Sequence, residues 1–179
     1  RANLGFFHRM AGDGQAPLSF GRLEVYAGTP ILHRLQREGR LSGDFLAWNY
    51  TIGDPRVELL FRLMVTAMRH RHYDSDGLSK QCSMACYRLA MYKHLLGRQA
   101  DPRLADDLRA MVARLNNHSL TMLEDMLRFT LSEDIYDVNR VNDQAAAWAT
   151  QVNLYDMAAM VEVQDWQGRL EDDAARAAE

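Results

Sequence analysis

Cysteine, lysine and long apolar runs are all scarce in this chain. Its two cysteines, Cys82 and Cys86, cannot build the disulfide framework of a secreted scaffold. They fit a reducing compartment. No run approaches the roughly 18 consecutive apolar residues of a membrane-spanning helix, and residues 1–15 hold no secretory apolar segment. A net charge of −3 lacks the basic excess of a dedicated nucleic-acid binder. Lys80 and Lys93 are the only lysines against nineteen arginines, an imbalance with no evident physical reading. Beginning at Arg1 rather than Met, the chain reads as a processed or trimmed product.

Catalytic signatures are missing as well. No Glu-x-x-His pair occurs, so a helical di-iron centre lacks its ligands. There is no His-Glu-x-x-His, no phosphate-binding loop and no Gly-x-Ser-x-Gly elbow. Gly12-Asp13-Gly14 lacks the third glycine and the preceding strand of a dinucleotide fingerprint. One metal constellation merits weighing: His70, His72, Cys82 and Cys86. A helical Cys-x3-Cys puts both thiols on one face, and thiolate with imidazole suits zinc. Histidines two apart on a helix, however, diverge by about 200°. The expectation is therefore no enzyme, no cofactor and no metal. Cys82 and Cys86 then read as small buried hydrophobes.

What is present is a helical pattern. Apolar residues make up 47% of the 179 and charged residues 25%, enough for a sizeable core and unlike a disordered chain. Glycines punctuate the first fifty residues, which read as an irregular N-terminal arm over 1–53 with short helical pieces. One such piece is Pro30–Arg37, with Thr29 placed to cap it. Phe45, Leu46, Trp48, Tyr50 and Ile52 give the arm apolar bulk that packs on its own domain or on a neighbour. From Asp54-Pro55 onward a helical domain runs over 54–179. Val57, Leu60, Phe61, Met64 and Met68 share one face of its first helix. Leu78, Cys82, Ala85, Leu89, Tyr92 and Leu96 form the seam of a second, with Gly97 just past its end. Asp101-Pro102 opens a third, over Leu104, Leu108, Met111, Val112 and Leu115. Asn116-Asn117 is expected to break it, and a fourth starts at Ser119. A polar stretch, 132–141, suits a short helix. A long last helix carries Ala145, Trp148, Val152, Tyr155, Ala159, Val163, Trp166 and Leu170, then frays over 171–179. No strand alternation stands out. The fold class is all-α.

Charge and methionine are distributed unevenly. Residues 1–73 hold ten arginines against six acids, whereas 162–179 hold six acids against two arginines. Either the two ends are solvated faces or they meet different partners. Nine of the ten methionines fall in helical segments, and Met84, Met91, Met122 and Met126 lie beside the main seams. Helices apolar on more than one side are usually buried in something larger, which favours a subunit of an assembly.

Residues from about Ser83 to Asp172 resemble the small helical matrix-side subunit 7, or ubiquinone-binding-type, family of the mitochondrial cytochrome bc1 complex. The resemblance is carried by 87–91 (Tyr-Arg-Leu-Ala-Met), 101–111 (Asp-Pro-Arg-Leu-Ala-Asp-Asp-Leu-Arg-Ala-Met), Met126-Leu127-Arg128, and 155–162 (Tyr-Asp-Met-Ala-Ala-Met-Val-Glu) leading into a charged tail. Two family features differ here. The Arg-Leu-Pro after the second helix has no proline, and the paired Asp-Asp-Leu reads His94-Leu95-Leu96. The first eighty residues have no counterpart. A second stretch, Leu89 to Leu96, is similar to the Leu-Tyr-Arg motif of a mitochondrial helical family of accessory subunits and assembly factors. Met91 and Lys93 replace its leucine and arginine, and lysine keeps the charge but loses the planar fork.

The first resemblance implies a non-catalytic accessory subunit of complex III. It would sit peripherally on the matrix side of the mitochondrial inner membrane, pack on cytochrome b and support assembly. The second implies an accessory subunit or assembly factor of another respiratory complex. A self-assembling helical viral or phage structural protein is the further alternative. Partners are then other subunits and lipid headgroups, with neither nucleic acid nor a small-molecule substrate. Large aromatics dominate interface energy, so Trp48, Tyr50, Tyr92, Trp148, Tyr155 and Trp166 are the expected contacts. Arg69, Arg71, Arg109 and Arg128 are expected to pair with partner carboxylates or lipid phosphates.

Overall fold

Asp54 and Asp101 start two helices by one device. The Asp54 carboxylate accepts the Arg56 and Val57 amides at 2.8 and 3.4 Å, and the Asp101 carboxylate accepts the Arg103 amide at 3.0 Å. A proline follows each at the first helical position, where its missing N–H costs nothing. The computed structural model describes residues 2–96 and 101–178. These residues form α1 (Ala2–Ala11), α2 (Pro30–Arg37), β1 (Leu41–Ser42), β2 (Asn49–Tyr50), α3 (Pro55–Tyr73), α4 (Leu78–Leu96), α5 (Pro102–Thr130), a 3-10 turn (Glu133–Tyr136) and α6 (Val138–Ala178). The protein is all-α, with one small antiparallel ribbon pairing Leu41 with Tyr50 and Ser42 with Asn49. The Leu96 side chain and Gly97 lie outside the described residues.

Two apolar compartments stack along the long helices. In the first, Leu63, Met64, Ala67 and Met68 of α3 meet Leu120, Met122, Leu123 and Met126 of α5 and Trp148 and Val152 of α6. In the second, Leu78, Cys82, Ala85 and Tyr92 of α4 meet Leu104, Leu108, Val112 and Leu115 of α5 and Val163, Trp166 and Leu170 of α6. α5 and α6 therefore run antiparallel through both, while α3 and α4 each cover one half. Val25, Leu32 and Leu35 form a third, smaller core under the ribbon, with Trp48 and Tyr50 half-buried against it.

Several local expectations give way to longer-range contacts. α5 does not break at Asn116-Asn117. An asparagine inside a helix usually competes with the backbone, but the buried Asn116 amide is engaged elsewhere. Its Oδ1 accepts the Leu18 amide at 2.8 Å, and its Nδ2 donates to the carbonyls of Ala16 (3.1 Å) and Ala11 (3.4 Å). That contact ties the N-terminal segment to α5, and Ala11 and Phe20 join the first compartment. Gly14 (φ +60°) belongs to the same junction: a Cβ there would lie 2.1 Å from the Arg109 carbonyl oxygen. Thr29 does not cap α2, because its hydroxyl donates to the Tyr26 carbonyl at 2.7 Å. The last helix stays helical to Ala178 instead of fraying from 171.

Replacing Asn116 by alanine leaves the Leu18 amide and the Ala16 carbonyl without their partner. We expect a loss of about 1–3 kcal/mol in denaturant unfolding, with new protease cleavage confined to residues 11–20. Unchanged stability and cleavage would show that the Asn116 amide does not hold this segment.

Candidate functional site

A polar layer separates the two compartments. Arg71, at the last turn of α3, is fully buried. Its Nε donates to both Asp156 oxygens at 2.9 and 3.2 Å, and its Nη2 donates to Oδ1 at 2.6 Å. Nη1 reaches His118 Nδ1 and Ser119 Oγ, each at 3.0 Å. The Tyr155 ring lies 5.3 Å from the guanidinium carbon and stacks on His118 at 4.0 Å between centroids. One cation from α3 thus gathers acceptors from α5 and α6. Charge-assisted, forked geometry of this kind is what keeps a buried guanidinium tolerable.

The electrostatics follow from burial. His118 is brought down to about 4, by desolvation first and by the Arg71 charge second. It is therefore neutral at pH 7 and accepts from Arg71 through Nδ1. Burial pushes the Asp156 carboxyl above its usual range, outweighing the Arg71 contact that pulls it down. Cys82, on the wall of the adjoining cavity, is pushed up to about 12 by burial and so stays a thiol.

A second polar pair lies at the α3–α4 turn. His72 Nδ1 and Ser79 Oγ are 3.1 Å apart, and Phe20 meets the imidazole edge-on at 5.4 Å. His72 Nε2 is buried without a partner among the described residues. Placing the ring proton on Nδ1, where it donates to Ser79, leaves only a lone pair unsatisfied. Burial takes His72 to about 4. Such an imidazole is too weak a base to activate Ser79 at neutral pH.

His70 and His72 part ways, one outward and one inward. His70 Nδ1 instead meets Asp74 at 3.0 Å and Asp76 at 3.9 Å. Ligand atoms of these three exposed residues lie within 4.8 Å of one another, the one cluster with metal-ligand types among the described residues. The Asp74 hydrogen bond raises the His70 pKa and so favours an imidazolium, which disfavours a cation there.

Four residues expected at an interface are buried inside the chain, and this corrects the expectation. Trp148 and Trp166 are 4% and 0% exposed. Trp166 Nε1 donates to the Leu104 carbonyl at 2.7 Å, and Trp148 meets Phe129 edge-on. Tyr92 is buried with its hydroxyl donating to Asp173 at 2.8 Å, and Arg71 anchors the polar layer. Their size and helical spacing suited a core as well as an interface, and a complete bundle claimed them. Trp48, Tyr50 and Tyr155 are half-buried, with Arg22 lying over the Tyr50 ring at 4.7 Å. Arg69, Arg109 and Arg128 are exposed, the last two beside Asp106 and Asp125.

Two outer helix faces are apolar and open. On α4, Met84, Tyr87 and Leu95 are 38%, 58% and 68% exposed, with Met91 between them on the same face. α4 contains no acid, and Lys80, Arg88 and Lys93 are exposed along it. On α6, Leu154, Met157 and Val161 are 65%, 70% and 65% exposed. Phe45 and Leu46 project from the ribbon loop. The chain matches no protein-family model, no curated protein and no solved structure.

Two predictions follow from the polar layer. Arg71→Met strands a buried carboxylate and should cost about 3–5 kcal/mol in denaturant unfolding, most of it recovered by Arg71→Met with Asp156→Leu. A double variant no more stable than the single would show that burial of an unpaired charge is not the cause. For pH, both histidines have folded pKa values of about 4, below the 6.5 of an ordinary histidine. Their contribution to stability is complete above 6.5 and is lost as pH falls toward 4, because the unfolded chain binds protons first. Asp156, shifted upward, acts in the opposite sense. The melting temperature should therefore fall from pH 7 to 4.5, with a shallower slope in His118→Gln. An identical slope in that variant would remove His118 from the account.

Proposed function

We propose that this chain is a non-catalytic accessory subunit that docks through the outer face of α4. The observation that carries the reading is that face: Met84, Tyr87, Met91 and Leu95 form an apolar stripe over twelve residues of a helix that contains no acid, with Lys80 in line with it and Arg88 at its edge. Isolated surface hydrophobes are ordinary; a continuous stripe over about three turns of a helix is the signature of a covered surface. Its basic edge fits an apolar partner rimmed by carboxylates or lipid phosphates. The buried cluster supports the same reading from inside, since its thiol is held protonated and its imidazoles are weak bases.

For the setting, the subunit 7 resemblance over residues 83–172 favours the mitochondrial bc1 complex, with cytochrome b on the matrix side as partner. α4 also contains the Met91-Tyr92-Lys93 stretch on which the likeness to the Leu-Tyr-Arg family rests. Tyr92 itself faces the core, so a partner at this helix would read Tyr87, Met91 and Leu95 instead.

Native gels of source membranes, blotted for this chain, test the reading. We expect co-migration with cytochrome b. Tyr87→Asp with Leu95→Asp should release the chain into the soluble fraction with unchanged helicity by circular dichroism. A variant that stays bound overturns the α4 assignment. Migration with a different respiratory complex overturns the bc1 assignment and leaves the docking face standing.

A further inference from the structure

The outer face of α6 is organised differently from that of α4. From Gln144 to Val161 the only charged residue is Asp156, which points inward to Arg71. Five turns of helix, about 27 Å at 1.5 Å per residue, therefore present solvent with no charge. Ala147, Thr150, Leu154, Met157, Ala158 and Val161 fall along this face at helical spacing, and all are exposed. Charge returns at both ends on the same side, as Arg140 and Asp143 before the stretch and as Asp165, Arg169 and Asp172 after it.

Four of these flanking charges are symmetric about one level of the helix, while Asp165 faces Ala147 of the copy. Arg140 and Asp172 are each 16 residues from position 156, and Asp143 and Arg169 are each 13 residues from it. An antiparallel copy of α6 centred at that level brings Arg140 opposite Asp172 and Asp143 opposite Arg169. Both pairs occur twice, as a twofold axis requires. The same register sets Leu154 against Ala158 and Val161 against Gln151, a large residue facing a small or uncharged one. Sliding the helices a turn in one direction brings Asp143 toward Asp165, and in the other brings Asp143 toward Asp172, so like charges oppose each slip. Asp143 and Asp172 take part in none of the ion pairs found among the described residues, whereas Arg140 also meets Asp134 at 3.6 Å and Arg169 meets Asp107 at 2.8 Å and Asp165 at 3.3 Å. A shallow groove of about 460 Å³ beside the stripe, with Met111 and Val161 on its floor and the ion pairs Arg114–Glu162 and Arg169–Asp107 along it, carries the contact onto α5 as a charged rim.

The geometry points to a twofold dimer in which the outer face of α6 packs antiparallel against the same face of a second copy of this chain, centred at the level of residue 156. One helix pair with its groove buries less than the roughly 1,200–2,000 Å² of a standard interface. The dimer is therefore concentration-dependent and dissociates on dilution. It leaves the α4 face free, so it stands or falls separately from the docking reading above.

Sedimentation of the purified full chain over a concentration series tests this, with circular dichroism confirming that each variant folds. We expect a reversible monomer–dimer equilibrium, lost in Leu154→Arg, whose side chains would meet near the axis. Arg140→Asp should weaken the dimer about 3- to 10-fold through two lost surface pairs, and adding Asp172→Arg should restore it by recreating them in exchanged positions. A chain that stays monomeric at all concentrations overturns the proposal. So does a dimer indifferent to Leu154→Arg, an open-ended aggregate, or a charge exchange that fails to rescue. Stable occupation of the α6 face by a different protein, with no self-association once it is removed, overturns it as well.

Discussion

One buried guanidinium sets the geometry of this molecule. Arg71 sits where α3 ends, α4 is about to begin, and the middles of α5 and α6 pass. Its donors are arranged so that Asp156, His118 and Ser119 must all converge there. A purely apolar seam tolerates sliding by a turn, because one leucine packs much like another. A forked cation with three directional partners does not, and the register of α5 against α6 is fixed at the point where error would cost most. The two apolar compartments are then filled on either side of a reference level rather than as one continuous core.

Much of the helical plan was readable from local chemistry. Aspartate-proline at 54–55 and 101–102, the seam of α4, and the long periodicity of α6 each declare themselves within a few residues. What could not be read locally was set at long range. Asn116 looked like a helix breaker because its partners, the segment from Ala11 to Leu18, lie about a hundred residues away in sequence. The ribbon at 41–50 is only two residues per strand, too short for alternation to register. The candidate contacts divide in the same way. Tryptophan and tyrosine at helical spacing are equally suited to a core and to an interface, so Trp148, Trp166 and Tyr92 could not be assigned without the bundle that covers them. Arg71 gave the least signal of all, as one arginine in a basic helix end. Asp156, the lone charge in an eighteen-residue uncharged stretch, was the legible clue to its partner.

The same uncharged stretch shows how one helix serves two surfaces. Inward, α6 offers Trp148, Val152, Val163 and Trp166 to both compartments. Outward, it offers smaller and medium-sized apolar groups with charge held back to the ends. α4 divides its faces similarly, but its outer stripe is accompanied by cations alone, Lys80 in line with it and Arg88 at its edge. An apolar face bordered by one sign of charge selects a partner unlike itself, and a face with paired signs at mirrored positions is compatible with its own copy.

The Asn116 anchor also has a consequence for synthesis. The segment from Ala11 to Leu18 leaves the ribosome early, yet the amide that holds it is made about a hundred residues later. At roughly 5–20 residues per second, that interval is about 5–20 s, during which Phe7, Leu18 and Phe20 have no α5 to cover them. The small core under the ribbon, by contrast, draws only on residues 25–50 and takes nothing from α5. For that interval the nascent chain carries an uncovered apolar segment over residues 7–20, and that segment is where a holding chaperone would find its substrate.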